Sequence, residues 1–291
     1  MVAGLMVAGA ALLALVLARL AENSMIFFPA PYPAGEWEPE RLGVQAEDFS
    51  FRAADGPLLH GWWFPALGAA TEQDADREPP VLLWAHGNGG NLTSRAVHAG
   101  ALAQQGLEVF IFDYRGYGKS EGSPDEQGIY RDAEAAYAFL TVDRGVSPER
   151  IVLLGRSLGS APAARLATRV PHAGIVLVSP LPSAKRMARR MFGGLPVDFL
   201  IRSRFPVIDW VTRRDTPLLV MHGDRDQVIP ISFGREVFEA AADPKEFVLL
   251  PGAGHNDILK VSGHRYLDPL AMFAKAAVAA ARHRADAAVT R

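Results

Sequence analysis

From residue 48 onward the chain alternates between short apolar runs and stretches with helical spacing. Residues 48–53 alternate apolar and polar, with Phe49 and Phe51 on one face, and residues 58–64 are apolar and aromatic-rich. Asp55-Gly56 lies between them, a dipeptide that favours a tight hairpin turn. Further apolar runs follow at 81–85, 109–112, 151–154, 175–178, 217–221 and 247–250. Helical spacing fills the intervals 92–105, 125–140, 158–170, 234–242 and 267–282. Continuous apolar runs are what strands buried on both faces require. Their alternation with helices predicts an α/β fold, a mostly parallel sheet flanked by helices on both faces.

One interval breaks the rhythm. Residues 181–214 contain no clear strand and carry eight basic residues, Lys185, Arg186, Arg189, Arg190, Arg202, Arg204, Arg213 and Arg214, against Asp198 and Asp209. Met187, Met191 and Phe192 can share a helical face apart from the basic one. The interval reads as a small helical cap inserted above the sheet.

The N-terminus differs again. Residues 1–18 contain no charged side chain. As a helix they would span ~27 Å at ~1.5 Å per residue, close to the ~30 Å of bilayer hydrocarbon. A cleaved signal peptide expects a basic residue before its apolar run, and none is present; a buried soluble helix expects a polar face, also missing. The expectation is a single-pass membrane anchor over residues 1–20. Residues 21–47 then form a linker and entry segment into one α/β domain at 48–283, with the cap at 181–214 and a tail at 284–291.

Composition narrows the chemistry. The chain has 291 residues, a formal net charge of −2 and no cysteine. Disulfides, a thiolate nucleophile and cysteine-ligated zinc are excluded, and no chain-wide basic surface exists to bind nucleic acid.

Gly155-Arg156-Ser157-Leu158-Gly159 follows the apolar run at 151–154 and precedes a helical stretch, the strand–turn–helix setting of a nucleophile elbow. Glycines two residues either side of Ser157 allow a turn too tight for Cβ atoms. The adjoining helix N-terminus favours developing negative charge. His86-Gly87-Asn88-Gly89-Gly90-Asn91 follows the run at 81–85. A glycine-rich turn presents backbone N–H groups to an oxyanion, and the expected donors are the amides of Asn88 and Leu158. The Gly-Lys-Ser/Thr of a phosphate loop is missing. His86 is expected to brace the strand end, and Asn91 to cap the next helix.

A hydroxyl nucleophile needs a base, and the base an orienting acid. Two acids follow the run at 217–221: Asp226, ahead of Val228, Ile229 and Pro230, is favoured, and Asp224 is the alternative, with loop bracing as its other role. His255, in Pro251-Gly252-Ala253-Gly254-His255, follows the run at 247–250 and is the expected base. His222 precedes the acid and so fits the chain order less well; His264 is the nearest rival.

These motifs together, with Asp113-Tyr114-Arg115-Gly116-Tyr117-Gly118-Lys119-Ser120, resemble the α/β-hydrolase superfamily over roughly residues 48–282. The resemblance extends to its membrane-anchored α/β-hydrolase-domain serine hydrolases, and residues 23–29 resemble the segment after the anchor in that branch, with no catalytic role assigned. It implies a Ser157–Asp226–His255 triad, an acyl-enzyme, and no metal or organic cofactor. The expected substrate is a small or lipid-like acyl ester or thioester. A serine peptidase acting on small peptides and a non-catalytic binding protein of the same fold are the alternatives. In the Asp113–Ser120 loop, Arg115 is expected to brace neighbouring loops and Tyr117 to lend structural support.

Overall fold

The computed structural model describes residues 22–67, 78–195 and 201–289. The expected anchor over residues 1–20 therefore lies outside the described residues, as do residues 68–77 and residues 196–200 of the expected cap. Among the described residues no helix is long and apolar enough to cross a membrane.

Among the described residues eight strands form one sheet: β1 (Glu47–Arg52), β2 (Leu58–Phe64), β3 (Val81–Ala85), β4 (Glu108–Asp113), β5 (Ile151–Arg156), β6 (Gly174–Val178), β7 (Leu218–Gly223) and β8 (Lys245–Leu250). Their order is β1-β2-β4-β3-β5-β6-β7-β8. β1 and β2 pair antiparallel across the Asp55-Gly56 turn, β2 pairs antiparallel with β4, and the remaining pairs are parallel. This is the α/β-hydrolase arrangement, an α/β fold with a mostly parallel sheet.

Side-chain alternation divides the interior in two. Leu83, Ile151, Leu153 and Val220 project to one face, under α2 (Glu126–Ala138), α3 (Ser160–Ala167), α5 (Val207–Val211) and α6 (Ile231–Ala240). Leu82, Trp84, Val152, Leu154 and Leu219 project to the other, under α1 (Ala96–Ala103), α7 (Ile258–Ser262) and α8 (His264–Val289). Both faces of the central strands are buried, which explains why they read as unbroken apolar runs.

Register aligns the carboxyl ends of the central strands. Ala85 pairs with Gly155, Arg156 with Val178, and Val178 with Met221. Loops leaving β3, β5, β6, β7 and β8 thus converge on one edge of the sheet, where open α/β sheets bind ligands. The described part of 181–214 leaves this edge after β6 and holds α4 (Ala184–Met191) and α5. Ser183 caps α4 by accepting the Arg186 N–H at 3.2 Å.

The segment before β1 is more than a linker. Residues 22–26 are helical, and Phe27 is 3% exposed, packed edge-on against Phe205 at 6.3 Å between ring centroids. The chain then threads past two loops. Ala30 N donates to Gly90 O at 3.0 Å, Gly90 N to Phe28 O at 3.1 Å, and Tyr32 N to Gly118 O at 2.8 Å. Trp37 packs on His60 and Trp62 of β2. Short polar and proline-containing stretches carry no periodicity, so this docking is visible only in three dimensions.

Candidate active site

The turn after β5 is set by sterics. Ser157 has φ +54°, a left-handed conformation that costs about 1–3 kcal/mol for a residue with a side chain. Its neighbours are locked in. A Cβ on Gly159 would lie 1.9 Å from the Ala85 carbonyl oxygen, and one on Gly155 would lie 2.6 Å from the Gly159 oxygen. Only glycine at both positions lets β5, β3 and the helix start approach this closely. Ser157 to Gly159 form a single 3₁₀ turn that runs directly into α3, so the hydroxyl sits at a helix amino terminus.

Two loops bring an imidazole and a carboxylate into line with this hydroxyl. His255 Nε2 is 3.0 Å from Ser157 Oγ. His255 Nδ1 is 2.7 Å from Asp226 Oδ2. A carboxylate accepts only, so the imidazole proton resides on Nδ1 and the Nε2 lone pair faces the serine O–H. The Asp226 carboxylate is further held by N–H donors from Val228 at 2.9 Å and Ile229 at 2.8 Å, both to Oδ1. Burial alone would raise its pKa. The opposing hydrogen bonds from His222 and His255, with the nearby imidazole charge and the Ile229 N–H, outweigh burial and hold the carboxyl well below the usual carboxylate range.

The rival residues have other places. Asp224 Oδ1 accepts the Gly252 N–H at 2.7 Å, which joins the loops after β7 and β8. His222 is fully buried; its Nε2 donates to the Ile229 carbonyl at 2.9 Å and lies 3.5 Å from Asp226 Oδ2. Gly234 makes room for it, since a Cβ there would lie 2.1 Å from His222 Nδ1. His264 is exposed and pairs with Asp268 at 3.1 Å. His86, fully buried, bonds the Gly87 carbonyl at 2.8 Å. Asn91 accepts the Thr93 N–H at 3.1 Å at the start of the next helical turn. Arg115 pairs with Asp55 at 2.8 Å and Asp132 at 2.7 Å, tying the hairpin to α2.

The loop after β3 packs against the nucleophile turn: a Cβ on Gly87 would lie 3.3 Å from both Arg156 O and Ser157 Cβ. That contact sets Asn88 beside the elbow. The Asn88 side chain is fully engaged. Its Nδ2 donates to the Ile26 carbonyl, and its Oδ1 accepts from Phe28 N at 3.0 Å, Gly89 N at 2.9 Å and Tyr117 Oη at 2.8 Å. Residues 26–28 and Tyr117 therefore fix the loop that carries the Asn88 amide. The support from Tyr117 is expected from the sequence; that from residues 26–28 is not, its only sign being the Phe27-Phe28-Pro29 stretch after the apolar N-terminus.

Arg156, next to the nucleophile, also has a role that the motif does not show. It is 9% exposed, and its guanidinium donates to the His255 carbonyl and, at 3.5 Å, to Asn256 Oδ1. The strand that carries the serine is thereby tied to the loop that carries the imidazole. Burial lowers the Arg156 pKa.

Comparison with known proteins agrees with this architecture. A family model described as serine aminopeptidase, S33, matches residues 76–206, a span that ends before Asp226 and His255. An uncharacterised protein of Mycobacterium tuberculosis is 35% identical over 254 residues, covering 87% of this chain and 86% of that one. Alpha/beta hydrolase domain-containing protein 17B of Homo sapiens is 36% identical over 194 residues, 66% of this chain and 65% of that protein. The chain belongs to the α/β-hydrolase superfamily. A Pyrococcus furiosus esterase shares the fold with a TM-score of 0.67 at 22% identity, covering 85% of this chain and 98% of its own.

Proposed function

We propose that this hydrolase is a serine esterase or thioesterase that works through an acyl-enzyme, with Ser157 as nucleophile, His255 as base and Asp226 as orienting acid. The observation that supports it is the unbroken chain from Asp226 Oδ2 to His255 Nδ1 at 2.7 Å and from His255 Nε2 to Ser157 Oγ at 3.0 Å. Ser157 Oγ forms a bond to the substrate carbonyl carbon while its proton passes to His255 Nε2. The carbonyl π electrons move onto oxygen, which the N–H groups of Asn88 and Leu158 receive. The tetrahedral centre collapses, the bond to the leaving oxygen or sulfur breaks, and that atom takes the proton from His255. Water then repeats the sequence on the acyl-enzyme, returning the proton to Ser157. Asp226 remains ionised throughout and stabilises the imidazolium.

An acyl ester or thioester fits an apolar N-terminus that would hold the enzyme at a membrane, beside lipid-like substrates. A single-pass anchor over residues 1–20 is part of this proposal. The match to a family described as serine aminopeptidase favours one second reading, hydrolysis of small peptides. A fluorophosphonate probe should label the wild type and not Ser157→Ala; absence of wild-type labelling would leave a non-catalytic protein of the same fold. Turnover of p-nitrophenyl esters and acyl thioesters should exceed that of aminoacyl amides, and the reverse order would select the peptidase.

A further inference from the structure

We infer that the cap helix α4 and the turn after it form a docking surface for an anionic phospholipid bilayer, which presents the active-site edge of the sheet to the membrane. The inference gives a purpose to the lipid-ester reading above and depends on that reading only for its biological meaning.

α4 carries an apolar stripe that begins inside the protein and ends outside it. Ala184 and Ala188 are 8% and 6% exposed, and Met187 packs on the core. One turn further along the same stripe, Met191 is 73% exposed, followed by Phe192 at 47% and Leu195 at 62%. Isolated exposed apolar residues are ordinary, but three large ones within five residues, at the end of one helix and in the turn after it, are a patch. The other face is basic. Lys185, Arg186, Arg189 and Arg190 have no acidic residue among them between positions 184 and 195. Arg186 leans on Glu236 of α6, while Lys185 and Arg190 are exposed. Large apolar side chains at the tip of a lysine- and arginine-rich helix are the pattern of elements that lie in the headgroup region, and the positive charge complements anionic lipid.

The N-terminal side of the chain meets the cap at the same place. Glu22, 7% exposed, accepts backbone N–H groups of Arg202 at 2.9 Å and of Ser203 at 2.7 Å. Glu126 accepts those of Arg204 and Phe205, each at 2.8 Å. These carboxylates fasten the segment between α4 and α5 both to the body and to the residues that follow the uncharged stretch at 1–18. Met25 and Phe28, 59% and 58% exposed, lie in that same N-terminal segment. The anchor proposed above would therefore set a bilayer next to the cap. The cap in turn begins three residues after Val178, the register partner of Arg156 and hence a neighbour of Ser157.

The full chain contains no cysteine, so a single introduced thiol can be labelled without competition. Phe192→Cys labelled with bimane, reconstituted in vesicles containing phosphatidylglycerol, should shift its emission to the blue and be quenched by brominated acyl chains. In phosphatidylcholine vesicles the label should remain solvent-like. Lys185→Glu with Arg190→Glu should return the anionic-vesicle signal to the phosphatidylcholine level. A bimane at Val142→Cys, 78% exposed on the turn leading toward the amino end of β5, should stay solvent-like in both. A Phe192 label that stays in water, responds equally to both lipids, or ignores the charge reversal overturns the proposal. A shift that appears without lipid as protein concentration rises also overturns it, in favour of a second copy of the chain. Because the readout is position rather than turnover, an inactive Ser157 would sink the esterase reading and leave this result standing.

Discussion

The side-chain oxygen of Asn88 accepts the backbone N–H of Phe28 at 3.0 Å across 60 residues of sequence. Its amide nitrogen returns a hydrogen bond to the Ile26 carbonyl. The segment leading out of the apolar N-terminus is thus fastened to the loop whose backbone amide is proposed to receive the oxyanion. Asn88→Ala keeps that amide but releases its loop. Small misplacements of a catalytic group cost about 100-fold in rate, so kcat for a p-nitrophenyl ester should fall about 10–100-fold with KM changed little. Tyr117→Phe, which removes one donor to the same oxygen, should lower kcat less. Equal losses in KM and none in kcat would place the loop in substrate binding instead.

Asp226 and Asp224 leave the same strand two residues apart, yet only Asp226 reaches the imidazole. Asp226→Asn should reduce kcat by about 10⁴, the scale on which a triad loses its imidazole orientation. Asp224→Asn still accepts the Gly252 N–H and should stay within about threefold of wild type. Steady-state ester hydrolysis by the two variants separates the roles.

The elbow tolerates no side chain at Gly159. An alanine Cβ would meet a backbone carbonyl oxygen at 1.9 Å, and no rotamer relieves a backbone clash. Gly159→Ala should cost about 3 kcal/mol or more of stability, since overpacking that backbone must absorb lies at the upper end of such effects. Urea denaturation followed by tryptophan fluorescence would show the lowered midpoint.

His98 sits against Trp84, with its Nε2 3.0 Å from the Tyr266 hydroxyl. Burial, reinforced by the charges of Arg156 and Arg95, pushes its pKa from 6.5 down to about 3. Above 6.5 the imidazole is neutral in the folded and unfolded chain alike, so it contributes no pH dependence. Below 6.5 the unfolded chain binds a proton that the folded chain refuses until about pH 3. Stability then falls with decreasing pH by up to about 1.4 kcal/mol per unit in that window. His98→Gln should flatten this slope, measured by urea denaturation between pH 7 and pH 4.5.

Much of the architecture was legible because its causes are local. Strands buried on both faces read as apolar runs, and Asp55-Gly56 marks the β1–β2 turn. Helix limits moved by a few residues where capping decided them, as at Asp125, whose side chain accepts the Gly128 N–H at 2.8 Å. Other features left no trace in periodicity. The docking of residues 26–34 and the Arg156 tie to the His255 carbonyl depend on partners tens of residues away. Phe27 and Phe28, adjacent and identical in kind, have opposite fates: one is packed on Phe205 and the other is exposed.

The order of residues along the chain was enough to specify the strand–helix alternation, the two glycines of the elbow and a short slate of acids and imidazoles, because hydrophobic period and turn sterics act over a few neighbouring residues. It left Asp224 and Asp226 both eligible and could not measure any approach between them and His255. Folding supplied those distances. Parallel pairing stacks the strand ends in register, and only that stacking brings residues 157, 226 and 255 within hydrogen-bonding reach, a relation that depends on loop-to-loop packing and not on any local pattern.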